Sequence, residues 1–274
     1  MPRLWRRFSA DRVGLAAALY VLLLLVIALL IPLVPSLDPR QISNDVMQAP
    51  SWPHPLGTDE LGRDVLSGLL WGARVSIVVG FAAALMATVL GIVIGAAAGF
   101  YGGIPDLLVM RIAEVFQVVP SFILAAFIVA LSGPGLTRVV LVIALLAWPQ
   151  VARLMRGEVM RVKQLEFVDA VRCLGLSEPA ILATEVIPNA LAPVLAAGTL
   201  IVGQAILLEA ALSFLGLSSA DLVSWGRMLN SGQRFLNNAW WLSLFPGSAI
   251  FETVLAFNLL GDAIGAALNP RRAG

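Results

Sequence analysis

Few residues in this chain could carry out metal, redox or phosphate chemistry. Its 274 residues include one cysteine, one histidine and one lysine, Lys163. A single cysteine excludes an internal disulfide, and one histidine with one cysteine is too small a set for a zinc or iron site within the chain. Lys163 lacks the glycine framework of a phosphate-binding P-loop. The sequence therefore predicts no cofactor and no ATP site of its own.

Charged residues are also scarce. They make up 13% of the chain, against about 25% in soluble domains, while 59% of the residues are hydrophobic. A helix needs about 20 apolar residues to cross a bilayer, and such runs occur at 13–34, 75–100, 113–132, 138–155, 190–215 and 242–266. The first run exceeds the length of a signal-peptide core, so we read it as an uncleaved span. We predict an all-α integral membrane protein with six transmembrane helices.

The basic residues predict the orientation of these spans. A cytoplasmic N-terminus places twelve of the 18 basic residues inside and six outside, in agreement with the positive-inside rule. Both termini are then cytoplasmic. The inside set is Arg3, Arg6, Arg7, Arg12, Arg111, Arg153, Arg156, Arg161, Lys163, Arg172, Arg271 and Arg272, and the outside set is Arg40, Arg63, Arg74, Arg138, Arg227 and Arg234.

Three regions follow from this topology. An N-terminal span with an outer loop occupies 1–72, a transmembrane core occupies 73–266 with a cytoplasmic loop at 156–189, and a cytoplasmic tail occupies 267–274. A second outer loop, 217–241, contains Trp225, Trp240 and Trp241. Tryptophans in such positions are typical of the aromatic belt at the headgroup level.

The cytoplasmic loop is patterned as a helix, a turn and a second helix. Phe167, Ala170, Val171 and Leu174 are spaced as one apolar stripe. Gly175 can end the first helix, Ser177 can cap the second, and the second is expected to end at Pro188, with Asn189 capping the next span. Glu166, Asp169 and Arg172 form a mixed-charge face. Such a face with an aromatic anchor favours docking to a protein groove over lying on lipid headgroups.

The loop resembles a known motif. Asp169-Ala170-Val171, Gly175 and Ile187-Pro188 are similar to the "EAA" loop of bacterial ABC-importer permeases, although Asp169 replaces the usual glutamate and Val171 and Cys173 replace alanines. Further blocks resemble the C-type permeases of the dipeptide/oligopeptide (and nickel) transport family. They are 54–59, 62–67, 72–76, 98–103, 209–217, 224–226 and 257–262.

The resemblance implies a type I ABC importer permease fold in a bacterial or archaeal cytoplasmic membrane. It implies a heterodimer with a second permease, two ATP-binding subunits, an extracytoplasmic solute-binding protein, and no nucleic acid. The subunit is expected to be non-catalytic and to translocate dipeptides or oligopeptides. The implied ATPase-coupling residues are Glu166, Phe167, Asp169, Ala170, Leu174, Gly175 and Pro188, and the extracytoplasmic signature is Gly57, Asp59, Gly62, Arg63 and Asp64.

Several alternatives stay open. Nickel-chelate and glutathione importers of the same family share these signatures. An ion-coupled secondary transporter is the alternative from a different class, although no internal repeat supports it. An intramembrane hydrolase lacks an evident nucleophile and base.

Polar and small residues within the spans complete the sequence-based predictions. Glu209, Glu252 and Asp262 are costly inside a membrane, and we expect structural pairing more than substrate contact. The outer signature is likewise expected to form a turn and a capped helix entry with Asp/Arg pairing, with docking of the binding protein as the alternative. Gly91, Gly95 and Gly99 predict close helix packing. Pro120, Pro149 and Pro246 predict kinks.

Overall fold

The computed structural model describes residues 11–219 and 221–268. Arg3, Arg6, Arg7 and the tail beyond residue 268 lie outside these ranges. Within them the chain is helical and contains no strand, apart from an isolated bridge between Thr58 and Asp64. The helices are α1 Arg12–Leu30, α2 Val65–Tyr101, α3 Gly103–Val118, α4 Ser121–Ser132, α5 Leu136–Val162, α6 Glu166–Cys173, α7 Glu178–Ile181, α8 Ile187–Phe214, α9 Trp225–Gly232 and α10 Trp241–Leu268. The predicted all-α class is confirmed.

Five helical segments are long and apolar enough to cross a membrane. They are Arg12–Leu33, Val65–Tyr101, Leu136–Val162, Glu178–Phe214 and Trp241–Leu268. A sixth crossing is obtained only if α3 and α4, which meet at an angle of 89°, are taken as one broken span. The chain is thus a multi-pass membrane protein, and the residues that the structure describes supply five spans, or six if the bent pair counts as one.

The third predicted span, 113–132, is wrong as a continuous helix. It is broken at Val119 and Pro120, neither of which has helical backbone angles, and its first helix begins earlier, at Gly103. Proline has no N–H to donate, and it disfavours helical angles in the residue before it. The apolar run therefore continues through a point at which the helix is interrupted, although α5, α8 and α10 each continue through a proline, at Pro149, Pro193 and Pro246.

The second span begins earlier than the apolar run suggested. Helix α2 starts at Val65 and is 37 residues long, which corresponds to about 55 Å. Asp64 caps its N-terminus by accepting a hydrogen bond from the backbone N–H of Ser67 at 2.8 Å. The proposed boundary at residues 72 and 73 therefore falls inside a helix. At about 55 Å the helix is longer than the hydrocarbon core of about 30 Å.

Glycines bring α2 and α5 into close contact. A Cβ atom at Gly91 would collide with the side chain of Val151, and one at Gly95 with the backbone of Ala152. At Gly99 it would lie 2.7 Å from the carbonyl oxygen of Arg156. The predicted packing role of this glycine row is confirmed, since any side chain there would push the two helices apart.

The helix expected to end at Pro188 does not end there. The short helix α7 continues through a π-helical segment, Leu182–Val186, directly into α8. Pro188 cannot donate an N–H, and the π-segment accommodates this, with the N–H of Ile187 bonding to the carbonyl of Leu182. Asn189 therefore caps nothing; its Nδ2 donates to the carbonyl of Glu185 at 2.7 Å. The loop is joined to the α8 span by continuous helix.

Candidate functional site

Helix α6 is held to the protein by one buried side chain. Val168 is completely buried and belongs to the main hydrophobic core, whereas every other residue of Glu166–Cys173 is exposed or half-buried. The predicted stripe of Phe167, Ala170 and Leu174 faces away from the chain, and Val171 is half-buried. The predicted stripe is therefore divided, since Val171 packs against the core while its other three members are exposed, and the inward anchor, Val168, was not identified.

The residues around α6 form an exposed apolar surface in an otherwise polar loop. Leu174 is 80% exposed, and Leu165, Phe167 and Leu176 are each about two-fifths exposed. We call this set, with Ala170, the coupling surface. Apolar side chains grouped on a polar loop are typical of interaction surfaces, because their exposure to water without a partner is unfavourable.

The turn after α6 has the predicted geometry. Gly175 has φ +86°, a left-handed conformation, and its N–H bonds to the carbonyl of Arg172 at 3.0 Å. Glycine reaches this conformation without a Cβ clash. Ser177 occupies the N-cap position of α7 with extended angles, but its side chain makes no capping hydrogen bond.

Arg172 joins the two sides of this turn. Its Nε lies 2.9 Å from Oε1 of Glu178, and its Nη1 lies 2.9 Å from Oδ1 of Asp169. The hydrogen bond and charge of Glu178, followed by the smaller effect of Asp169, raise the pKa of Arg172 above its ordinary value. Two members of the predicted mixed-charge face, Asp169 and Arg172, are thus paired with each other, and Arg172 is also paired with Glu178 across the turn.

The single lysine connects the segment just before the coupling surface to α2. Nζ of Lys163 donates to the carbonyl oxygens of Gly99 at 2.7 Å and Phe100 at 3.2 Å. These carbonyls lie in the last turn of α2, where helical partners are lacking and a cation is favoured. Lys163 therefore ties the chain just before α6 to the end of the longest described helix.

A second set of contacts links the same end of α5 to α3. Arg156 makes a bidentate pair with Asp106, with N–O distances of 2.6 and 2.7 Å, and Arg153 donates to Gln117. Bidentate arginine–carboxylate pairs fix geometry as well as adding energy. Helices α2, α3, α5 and α6 are consequently connected at one end of the molecule.

The residues of the outer signature form most of their hydrogen bonds within their own loop. Asp59 accepts from the backbone N–H groups of Leu61 at 2.9 Å and Arg63 at 2.8 Å, and Asp64 caps α2 and contacts Nδ1 of His54 at 3.1 Å. The predicted turn and capped helix entry are confirmed. The expected Asp/Arg pairing is wrong: within residues 11–219 and 221–268 the Arg63 side chain forms no ion pair, because Asp59 binds its backbone instead.

Two glycines of the signature are fixed by geometry. Gly57 and Gly62 have φ values of +79° and +73°. A Cβ at Gly57 would lie 2.6 Å from the carbonyl oxygen of Gln48, and one at Gly62 would collide with the carbonyl oxygen of Ser43. The backbone of the loop passes too close at both points for any side chain.

The tryptophans of the second outer loop correct the aromatic-belt interpretation. Trp225 is 1% exposed and donates its indole N–H to the carbonyl of Leu69 at 2.8 Å, while Trp241 is 4% exposed and donates to Thr58 at 3.1 Å. Both hold the outer loops onto the helices. Trp240, which is 52% exposed, is the one of the three that fits a headgroup position.

The three intramembrane acids lie in separate places. Glu209 in α8 is buried and accepts from Ser213 Oγ at 2.6 Å and from Ser76 Oγ at 3.4 Å. Glu252 in α10 accepts from the Tyr20 hydroxyl at 3.3 Å. Asp262 lines a cavity of about 740 Å³ between α5, α8 and α10. The structure gives two of them structural partners and brings none of the three together.

Comparison with known proteins identifies relatives along nearly the whole chain. The model of a family described as "Binding-protein-dependent transport system inner membrane component" matches residues 91–274. The glutathione transport system permease protein GsiD of Pectobacterium atrosepticum is 37% identical over 270 residues, covering 97% of this chain and 90% of that protein. The dipeptide transport system permease protein DppC of Bacillus subtilis is 37% identical over 270 residues, covering 97% and 84%.

A solved structure has a similar fold. A chain of the MetNI methionine ABC transporter in an inward-facing conformation superposes with a TM-score of 0.61 at 19% identity, covering 74% of this chain and 96% of that one. Identity at this level establishes the fold alone. It is the type I importer permease fold that the sequence resemblance implied.

Proposed function

Since the chain belongs to the family of binding-protein-dependent transport system inner membrane components, we propose that it is the permease subunit of an ATP-driven importer of dipeptides and short oligopeptides. The coupling surface is the observation that carries this proposal. Its apolar side chains are exposed on a short helix anchored by Val168 and connected to α2 by Lys163. Such a surface suits a soluble partner that must move membrane helices.

The proposed role as a permease subunit implies several partners. Two ATP-binding subunits dock on the coupling surfaces of this chain and of a second permease, with which it forms a heterodimer. No ATP binds to this chain, which has no P-loop, and it is not itself an enzyme. An extracytoplasmic binding protein delivers the solute. The assembly lies in the cytoplasmic membrane with both termini of this chain inside, as the arginine distribution favours.

The mechanism is a population shift driven by nucleotide. Closure of the ATP-binding subunits moves the coupling surface, and the movement passes through Lys163 to α2 and through continuous helix from Glu178 to α8. The solute path then changes between outward-facing and inward-facing states, because nucleotide binds the two states with different affinity.

Glutathione is the second candidate solute, since a relative named for its transport is as similar as one named for dipeptides. Both are short peptides. A nickel chelate stays an alternative of the same family, because a chelated ion already has its ligands and needs no metal-binding cluster in the permease. Membership of a binding-protein-dependent family argues against an ion-coupled secondary transporter.

Uptake by the complete transporter tests the proposal. The two permeases, the ATP-binding subunits and the binding protein are reconstituted in proteoliposomes, and accumulation of labelled dipeptide and of glutathione is followed with and without ATP. We expect ATP-dependent uptake that requires the binding protein and survives collapse of ion gradients. Uptake that follows the gradient instead of ATP would refute the assignment.

A further inference from the structure

A cavity at the bent helix pair contains three glutamines from three different helices. It has a volume of about 630 Å³ and is lined by the break between α3 and α4 and by one face each of α5 and α8. Gln117, Gln150 and Gln204 all line it, together with Ser121. No acidic or basic side chain lines it, although Arg153 donates to the side chain of Gln117. The volume is within the range of about 300–1,000 Å³ typical of small-molecule sites.

Helices α5 and α8 each line this cavity with one regularly spaced row of side chains. On α5, Ile143, Leu146 and Ala147 are followed by Gln150 at the same helical spacing, and on α8, Ile201 and Leu208 flank Gln204 and Ala205. Residues three and four apart share a helix face. Each glutamine is therefore the one amide on an apolar stripe that faces the cavity.

Both glutamines lie far from the ends of their helices. Gln150 is about 21 Å along α5 and Gln204 about 25 Å along α8, at 1.5 Å per residue. Each helix has 27 or 28 residues, so both amides lie near its middle. Both side chains are exposed in the isolated chain. A polar amide at this depth is unfavourable against lipid, which has no hydrogen-bond partner to offer.

The helix break supplies further polar groups to the same cavity. The last carbonyls of α3 and the first N–H groups of α4 have no helical partners, and Pro120 makes no side-chain capping bond. Irregular backbone within a membrane is tolerated where it lines a water-filled cavity. The lining thus combines amide donors and acceptors with apolar surface. A peptide carries groups of both kinds and can contact both.

We propose that this cavity is the solute-contacting surface of the subunit, and that Gln150 and Gln204 recognise the backbone amides of a passing peptide rather than its charged groups. A carboxamide can donate to a peptide carbonyl and accept from a peptide N–H at once. Because no ionised side chain lines the cavity, peptides of different net charge pass with similar efficiency. The inference rests on the proposed import of peptides and adds to it the residues and the mode of recognition.

Substitutions of opposite charge at one position test this directly. Gln204→Glu and Gln204→Lys are introduced into the complete reconstituted transporter, and uptake is measured for alanyl-aspartate, alanyl-alanine and alanyl-lysine. Each value is divided by that of the unmodified transporter, so differences in affinity for the binding protein cancel. We expect the glutamate variant to lower the acidic-to-basic uptake ratio by about tenfold and the lysine variant to raise it similarly. Gln150→Glu and Gln150→Lys should act in the same direction.

Gln164→Glu, which adds the same charge on the exposed loop before α6, serves as the matched control and should leave the ratio unchanged. Equal ratios in all variants would overturn the proposal, as would loss of the second permease from the purified complex in every Gln204 variant, since the cavity would then be a subunit contact. If the unmodified transporter takes up none of the three peptides, the proposed function itself fails, and this outcome is distinct from an unaltered charge ratio.

Discussion

The cytoplasmic loop around α6 and the first outer loop are both rich in signature residues, but they use them in opposite ways. In the outer loop, the backbone passes too close to Gly57 for a side chain, and Asp59 and Asp64 accept hydrogen bonds from backbone N–H groups of the chain. In helix α6 of the cytoplasmic loop, Phe167 is partly exposed and Val168 is the one buried residue, and Leu174, directly after the helix, is 80% exposed. The first motif makes its contacts within the chain, whereas the second leaves apolar side chains exposed.

This difference shows how a motif's role can be read from the direction of its side chains. Residues whose polar atoms are satisfied and whose backbone allows no Cβ are constrained by folding alone. Folding of the chain does not by itself require exposed apolar residues on an anchored helix. Substitutions in the outer loop should therefore change stability, and substitutions on the coupling surface should change partner binding while stability is unaltered.

The largest effect is expected from Gly62→Ala compared with Gly175→Ala. Both glycines have positive φ, but a Cβ at Gly62 would collide with the carbonyl oxygen of Ser43, whereas at Gly175 it would meet nothing within 4 Å. We expect Gly62→Ala to cost about 3 kcal/mol or more and Gly175→Ala about 1 kcal/mol. Thermal unfolding of the purified subunit in detergent measures both. Equal losses would show that the two turns are equally constrained.

The double variant Phe167→Ala/Leu174→Ala should separate binding from stability. Removing two exposed apolar side chains from an interface costs about 2 kcal/mol, or roughly 30-fold in affinity for the ATP-binding subunits. The unfolding temperature should not change. Val168→Ala is the matched comparison: it deletes fully buried carbons and should destabilise the subunit by about 2 kcal/mol. If the double variant binds its partners normally, the coupling surface is not the docking site.

A smaller and different effect is expected from Lys163→Met. The substitution keeps the apolar stem but removes both hydrogen bonds to the end of α2. The ATP-binding subunits should still bind, while peptide uptake per ATP hydrolysed falls by roughly three- to tenfold. Lys163→Arg, which can still donate to the same carbonyls, is the control. Unchanged uptake per ATP in the methionine variant would contradict transmission through this contact.

The smallest effect is expected from Arg172→Met. The guanidinium is exposed and its partners are at the surface, where ion pairs contribute little. The pKa of Arg172 is raised in the folded state, so its contribution is fully present below the unfolded pKa and is lost only above the folded one. Both values lie far above about pH 9. We expect no change in unfolding temperature and no dependence on pH between about 6 and 9. A clear loss would assign Arg172 a structural role.

Local rules predicted part of this arrangement. The positive φ of Gly175 follows from glycine's lack of a Cβ. The break at Pro120 does not follow from the proline alone, because α5 and α10 continue through Pro149 and Pro246. Similarly, the periodicity of α6 identified an apolar stripe without saying whether the chain or a partner covers it. That required knowing that Val168, one position from Phe167, points into the core.

Long-range contacts could not be predicted in this way. Asp106 and Arg156 are separated by 50 residues, and Lys163 reaches carbonyls 63 and 64 residues away. Such pairs depend on how the helices pack. The burial of Trp225 and Trp241 has the same origin, because their hydrogen-bond acceptors belong to distant segments. The three glutamines of the cavity are likewise brought together only by tertiary structure.

The cysteine in α6 offers the most direct measurement of what the coupling surface does. Cys173 is exposed and is the one cysteine of the chain, so the unmodified protein can be labelled at a single position on that helix. A membrane-impermeant maleimide is added to inside-out and right-side-out vesicles, with and without the ATP-binding subunits. We expect rapid labelling only in inside-out vesicles, slowed about tenfold or more once those subunits are bound. Labelling from the outer side, or an equal rate in their presence, would contradict docking of the ATP-binding subunits on this surface.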